Sequence, residues 1–374
     1  MSKIRILQFP IANSRGGLTQ YVLNNWKWMD RKRFQCDFAT MSTQLDFENE
    51  ILETGSKVYH ISCYAEENQE QFIKEFEDIL SQDYDVVHIH TKQWKSFLIE
   101  ELCIKYNVPK IIVHSHSTGI DIEDSVKRKK EEETHRKIKR IFNESFATDF
   151  WACSKAAAKF LFGEQIEKSK IRIMPNAIDL DKFAFNVKVR SEIREKYGLS
   201  DCFVMGHVGR FEYQKNHEFL IKIFFRILKQ IESARLILVG DGEYFQKVLD
   251  EAENLNIANK ILFLGKRTDV NDWYQAMDVF CLPSRFEGLP ISMIEAQASG
   301  LPCIGSDCIT KEVKICNNVY LLPLNEEIWV NMLLKVRGVN RENNKEKLVE
   351  FGYEIKTQIK EIETAYTHFK ERKK

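Results

Sequence analysis

Twice along its length the chain runs through the same alternation of short apolar stretches and helical ones. In the first half KIRILQF, FQCDFAT, VYHIS, DVVHIH and KIIVHS are separated by runs of helical character such as Leu18–Met29 and QEQFIKEFEDIL. In the second half CFVMGHVG, ARLILVG, KILFLG, DVFCLPS and LPCIGS alternate with helical stretches, among them Glu218–Gln230 and Pro290–Ser299. Short, continuously apolar strands alternating with helices imply parallel sheets covered on both faces. The chain has 374 residues, more than the ~250–300 at which one core stops growing. The expectation is therefore an α/β protein of two doubly wound domains. The first spans residues 1–183 and the second 184–352. A closing helical segment, 353–374, returns to the first domain. Ligands of open α/β sheets bind beyond the carboxyl ends of the strands, so the loops there, facing a central cleft, are where chemistry is expected.

Composition excludes several classes. Lys+Arg and Asp+Glu both number 55, which gives no electrostatic case for nucleic acid. No apolar run approaches the ~18 residues of a membrane span. The start, MSKIRILQF, passes directly into a strand-like run without a cleavage signature, so a cytoplasmic location is expected. Nine cysteines without any C-x-x-C read as reduced thiols rather than disulfides or zinc ligands.

Four loops at strand ends hold groups suited to an anionic ligand. In RFEGLPISMIE a strand, a tight turn and a helix follow one another. Pro290 suits the first helical position, and Gly300 with Pro302 supplies the stop. Amides from Gly288 through Leu289 to Ile291 lack intrahelical acceptors and form an anion site. Glu287 stands at its lip and Glu295 more than one turn deeper; the plain alternative is that Glu287 complements the helix dipole and Glu295 is a partly exposed helix glutamate. In NSRGGLT, Gly16 and Gly17 permit close approach of a phosphate to a helix start; a plain turn would read the same. After KIIVHS, His114 and His116 share one face of a strand. A metal could use them, but no third ligand is suggested nearby, and His116, nearer the loop, is the functional candidate. In RFEYQKNHE, Arg210 and Lys215 precede a helix. Cations are poor partners for a helix N-terminus, and a diphosphate would resolve the conflict. Asp179-Leu180-Asp181 spells a D-x-D metal motif but lies in the expected linker and reads as turn chemistry. No metal site is expected.

The E-G-L-P-x4-E loop, G-R-x4-K, V-G-D-G, the early G-G and P-N-A-I-D with Phe183 behind it occur in one order. Together they resemble the retaining glycosyltransferases of the GT-B fold, the E-x7-E family. The bacterial capsular and exopolysaccharide branch is the most similar, sharing phrases like WACSKAA and MDVFCLPS. The resemblance covers about residues 3–369. It implies that Glu287 contacts donor-sugar hydroxyls, that Glu295 holds the nucleotide ribose, and that Gly288–Ile291 hold sugar and phosphate. By the same resemblance Arg210 and Lys215 bind the diphosphate, Gly16 and Gly17 approach it from the other domain, and His116 lies near the hexose, with His114 as the alternative register. The implied activity is hexosyl transfer from a nucleotide sugar, UDP-linked, to a growing polysaccharide or lipid-linked oligosaccharide, with no cofactor. A nucleotide-sugar 2-epimerase shares the fold, and a catalytically silent glycan-binding partner is the non-enzymatic alternative. The chain between KEVKICNN and the last helix is short for the family, so Asn317–Val330 is expected to form an altered domain edge. Residues 127–140, KRKKEEETHRKIKR, carry a charge of +5 (8 − 3). With Ile138, Ile141 and Phe142 the segment 127–142 reads as a basic amphipathic helix for an anionic membrane surface, or as a solvated helix with internal ion pairs.

Overall fold

Each of the ten apolar runs named above forms a strand in the computed structural model, which describes residues 3–13 and 16–368. In the first half these are β1 (Ile4–Ile11), β2 (Phe34–Thr40), β3 (Val58–His60), β4 (Val86–Thr91) and β5 (Lys110–Ser115). Two further short strands, β6 (Asp149–Ala152) and β7 (Ile171–Ile173), complete a parallel sheet of order β3-β2-β1-β4-β5-β6-β7. The second half contributes β8 (Val204–Val208), β9 (Arg235–Val239), β10 (Ile261–Phe263), β11 (Val279–Leu282), β12 (Cys303–Ser306) and β13 (Val319–Leu322). They form a second parallel sheet, β10-β9-β8-β11-β12-β13. The strands not anticipated are β6, β7 and β13, of four, three and four residues.

The chain divides into two units. One takes residues up to Ile120, Asp124–Asn176 and the chain from Ile355; the other takes Asp121–Glu123 and Ala177–Glu354. The change of unit thus falls at Ala177, ahead of residue 184. The closing helix Ile355–Thr367 belongs to the first unit, where it packs on the helix Gly17–Trp28. Of the segment 353–374, residues 369–374 lie outside the described residues.

Burial follows helical spacing. The helix His217–Leu228 buries Leu220, Ile221, Phe224 and Ile227 into a core with Met205, Leu236, Leu238 and Trp329, an apolar stripe against a sheet face. Asn317–Val330, expected as an altered edge, instead holds a regular edge: β13 runs in register with β12, and the helix Glu326–Val336 is capped by Asn325. Among the described residues no helix is long and apolar enough to cross a membrane.

Candidate functional site

The strand order reverses between β8 and β11 in the second sheet, the kind of switch point where crevices open beyond the strand ends. Two loops leave the sheet there, 209–216 after β8 and 283–290 after β11, and they are tied together. Asn216, left-handed at φ 56°, donates from Nδ2 to the carbonyl of Pro283 at 3.1 Å. The Arg285 N–H donates to the Gln214 carbonyl at 2.8 Å, and Arg285 Nε to that of Tyr213 at 3.1 Å. Beneath them His207 on β8 donates from Nδ1 to the Cys281 carbonyl at 2.8 Å. Burial pushes this imidazole down to about 3, so it stays neutral.

This stitching brings Lys215 to Glu287. The Lys215 ammonium lies 2.6 Å from Glu287 Oε1, and Gln214 Nε2 donates to Glu287 Oε2 at 3.1 Å and to the Phe286 carbonyl at 2.9 Å. The pair is buried, with side chains 13% and 8% exposed. Arg210 forms an ion pair with Glu212 on its own loop. The charge conflict posed by two cations ahead of a helix is therefore met here by two internal carboxylates.

Gly288, Leu289, Pro290 and Ile291 are all buried. Pro290 is the N-cap of the helix Ile291–Ala298 rather than its first residue, one position earlier than the sequence suggested, because its ψ of 110° is extended. Gly300, at φ 73°, ends the helix as expected. Glu295 does not join the Lys215–Glu287 pair. It is half-buried and accepts a hydrogen bond from Tyr274 Oη at 2.8 Å. Burial pushes its carboxyl up to about 7, against the lowering pull of Tyr274 and Lys182.

The V-G-D-G turn does more than its spelling suggests. Gly240 and Gly242 sit at φ 139° and 156°, and a Cβ on them would lie 2.0 Å from the Gly209 carbonyl oxygen and 2.5 Å from that of Phe211. The Phe211 N–H donates to the Asp241 carbonyl at 3.0 Å, so the turn is packed directly against the arginine-bearing loop. Asp179 caps the helix Leu180–Phe183, accepting from the amides of Asp181 and Lys182, and Asp181 pairs with Lys345.

In the first unit Gly16 is the N-cap of the helix Gly17–Trp28, and a Cβ on Gly17 would meet nothing within 4 Å. No internal packing demands glycine at position 17. His116 sits just past β5, its N–H bonded to the Thr91 carbonyl at 3.0 Å. Its ring turns inward. Nε2 lies 2.9 Å from His90 Nδ1, and burial together with repulsion from Lys92 lowers the ring to about 3. His114 is fully buried and meets His88 at 3.1 Å. Sequence reading missed His88 and His90, although DVVHIH repeats the H-x-H spelling of HSH. One ligand atom from each of His88, His90 and His114 lies within 4.8 Å of the others, close enough to hold a metal ion. Hydrogen bonds already engage both nitrogens of His88 and of His90, the outer ones at Tyr366 and Gln8.

Comparison with known proteins agrees with this architecture. Residues 15–182 match the model described as "Glycosyltransferase Family 4", and 189–326 match "Glycosyl transferases group 1". Over 98% of this chain and 97% of the relative, the sequence is 31% identical to the putative glycosyltransferase EpsF of Bacillus subtilis. The chain belongs to this glycosyltransferase family. It is also 25% identical, over 98% of its length and 97% of the relative's, to the UDP-Gal:alpha-D-GlcNAc-diphosphoundecaprenol alpha-1,3-galactosyltransferase of Escherichia coli. Among solved structures, Anabaena HepE in complex with UDP and glucose superposes with a TM-score of 0.77 at 16% identity, covering 98% of this chain and 100% of that one. Sucrose-phosphate synthase from Thermosynechococcus elongatus gives 0.79, also at 16%, over 98% of both chains. This glycosyltransferase thus has the GT-B fold.

Proposed function

We propose that this glycosyltransferase is a retaining, metal-independent hexosyltransferase that moves a sugar from a UDP-linked donor to a growing cell-surface polysaccharide or lipid-linked oligosaccharide. The observation that carries the reading is the meeting of Lys215 and Glu287 at the switch point of the second sheet. In this reading Arg210 and Lys215 neutralise the departing diphosphate, with the amides of the Gly288–Ile291 segment beside them. Preorganised cations and dipoles in a buried site supply the charge stabilisation that a metal supplies elsewhere. Glu287 takes donor-sugar hydroxyls and Glu295 the ribose. Gly16, Gly17 and His116 take the diphosphate and hexose roles that the family assigns to these positions. The diphosphoundecaprenol acceptor of the Escherichia coli relative and the UDP and glucose of HepE support the proposed acceptor and donor classes.

The test is a thermal-shift screen over UDP-, GDP- and ADP-sugars, since a ligand at 100 times its Kd stabilises by ~2.7 kcal/mol. Transfer from the donor that binds should then give product with the donor's anomeric configuration. Inverted product would overturn the retaining mechanism. Isomerised donor without acceptor would indicate the epimerase, and no shift with any donor would indicate the silent partner.

We also propose that the helix Ser125–Ile141 touches anionic membrane. It is capped by Asp124, buries only His135, and exposes Lys127, Lys129, Lys130, Arg136, Lys137 and Arg140 beside Val126 and Ile141. Each cation near an anionic surface is worth ~1 kcal/mol. Replacing Lys127, Lys129 and Lys130 with Ser should lower partitioning onto phosphatidylglycerol vesicles by roughly 100-fold or more at low salt. Unchanged partitioning would return this helix to a solvated surface.

A further inference from the structure

The loop after β8 carries a carboxylate that the proposed reaction does not use. Glu212 stands between Arg210 and Lys215, and its backbone is fixed at both ends. Its N–H donates to the Arg210 carbonyl at 2.9 Å, and its own carbonyl accepts the Lys215 N–H at 3.1 Å. Packing of Phe211 between Asp241 and Tyr244 leaves the loop little freedom: the Phe211 N–H donates to the Asp241 carbonyl at 3.0 Å, and the Tyr244 N–H to the Phe211 carbonyl at 2.9 Å. The side chain of Glu212 then lies against the Arg210 guanidinium, with the two 19% and 23% exposed.

The two ion pairs of this site differ in exposure and in the sequence separation of their partners. Glu287 keeps Gln214 on its second oxygen when Lys215 turns away, so its carboxylate remains placed. Glu212 is partnered by the cation two residues before it and is more exposed. We propose that Glu212 is an internal counter-anion to Arg210, displaced or crowded by the donor diphosphate, and so lowers and sets affinity for the donor. The proposal rests on the reading that Arg210 binds the diphosphate. Its sign does not depend on whether Glu212 swings out. A guanidinium has five N–H donors and could hold both anions at once, but the carboxylate would then repel the phosphates at short range. Either arrangement costs binding energy that a neutral side chain would not.

The probe is the tightest binder among UDP, GDP, ADP and TDP, titrated calorimetrically into the full chain beside its own nucleoside. Glu212→Gln keeps the shape and removes the charge. A part-exposed pair and its repulsion correspond to a Kd for the diphosphate lowered roughly two- to tenfold, with the nucleoside Kd unchanged. In Arg210→Ala the diphosphate should bind more weakly, and the further change Glu212→Gln should bring a smaller gain than in wild type where the carboxylate competes for the guanidinium, and at least an equal gain where it repels the phosphates directly. Glu212→Ala, checked for folding by melting, repeats the sign of Glu212→Gln if the glutamine variant does not fold. Equal or weaker diphosphate binding in Glu212→Gln, with Arg210→Ala still impaired, overturns the counter-anion and leaves the donor reading standing. A nucleoside that gains as much as the diphosphate does the same, because the effect would then be structural. Diphosphate binding untouched by Arg210→Ala, or absent for the whole panel, removes the donor reading and this inference with it.

Discussion

Glu287→Gln should abolish transfer while leaving a protein that folds. Both carboxylate oxygens of Glu287 accept hydrogen bonds, one from the Lys215 ammonium and one from Gln214 Nε2. An amide offers one acceptor and one NH2, so whichever way it lies a donor faces a donor. A glutamine would therefore lose the placement of the group as well as its charge. If Glu287 takes donor-sugar hydroxyls as proposed, rate should fall by more than the ~10²–10³ typical of one lost preorganised polar contact. Glu287 is only 6% exposed, so the substitution also reaches stability. A mispaired buried polar group costs ~1–3 kcal/mol, which corresponds to a melting point lowered by roughly 2–12 °C. The check is a transfer assay on protein whose melting curve remains cooperative. Full activity in such a protein would overturn the assignment of Glu287.

What the sequence disclosed and what it withheld have separable causes. Strands such as ARLILVG and DVFCLPS were legible because a strand buried on both faces is a short, largely apolar run. The loop residues Arg210, Lys215 and Glu287 were legible as candidates because they follow such runs. Their meeting was not, since it depends on β8 and β11 being neighbours, which strand order alone decides. The histidine array shows the same limit. HIH and HSH each announce two imidazoles on one face, but only the pairing of His90 with His114 across β4 and β5 brings four rings together. Asp241-Gly242 reads as an ordinary turn dipeptide, and the carbonyls of Gly209 and Phe211 that forbid side chains on Gly240 and Gly242 are far away in sequence. Glu212 was hidden for another reason. A carboxylate between two cations looks like ordinary charge balance until its partner is seen.

The second large effect concerns the leaving group. Arg210→Ala and Lys215→Ala each remove a charge-assisted hydrogen bond to the proposed diphosphate, a loss of ~1.5–3 kcal/mol. A tenfold change in kcat/KM corresponds to ~1.4 kcal/mol, so the expected fall is roughly 10- to 150-fold. The structure ranks the two. Lys215→Ala also takes the ammonium from the buried Glu287 carboxylate, a cost added to the lost phosphate contact although Gln214 still places that carboxylate, and should lie at the upper end. Arg210→Ala removes the cation of a more exposed pair, a smaller penalty. Chelator should leave wild-type turnover nearly unchanged, because in the proposed mechanism these cations meet the departing charge. If EDTA silences the enzyme and Mg²⁺ or Mn²⁺ restores it, the metal-free mechanism fails. Asp179 and Asp181 would then have to give up a helix cap and an ion pair with Lys345 to serve as ligands. Mutating that pair, and separately His88, His90 and His114, would show which set the metal uses.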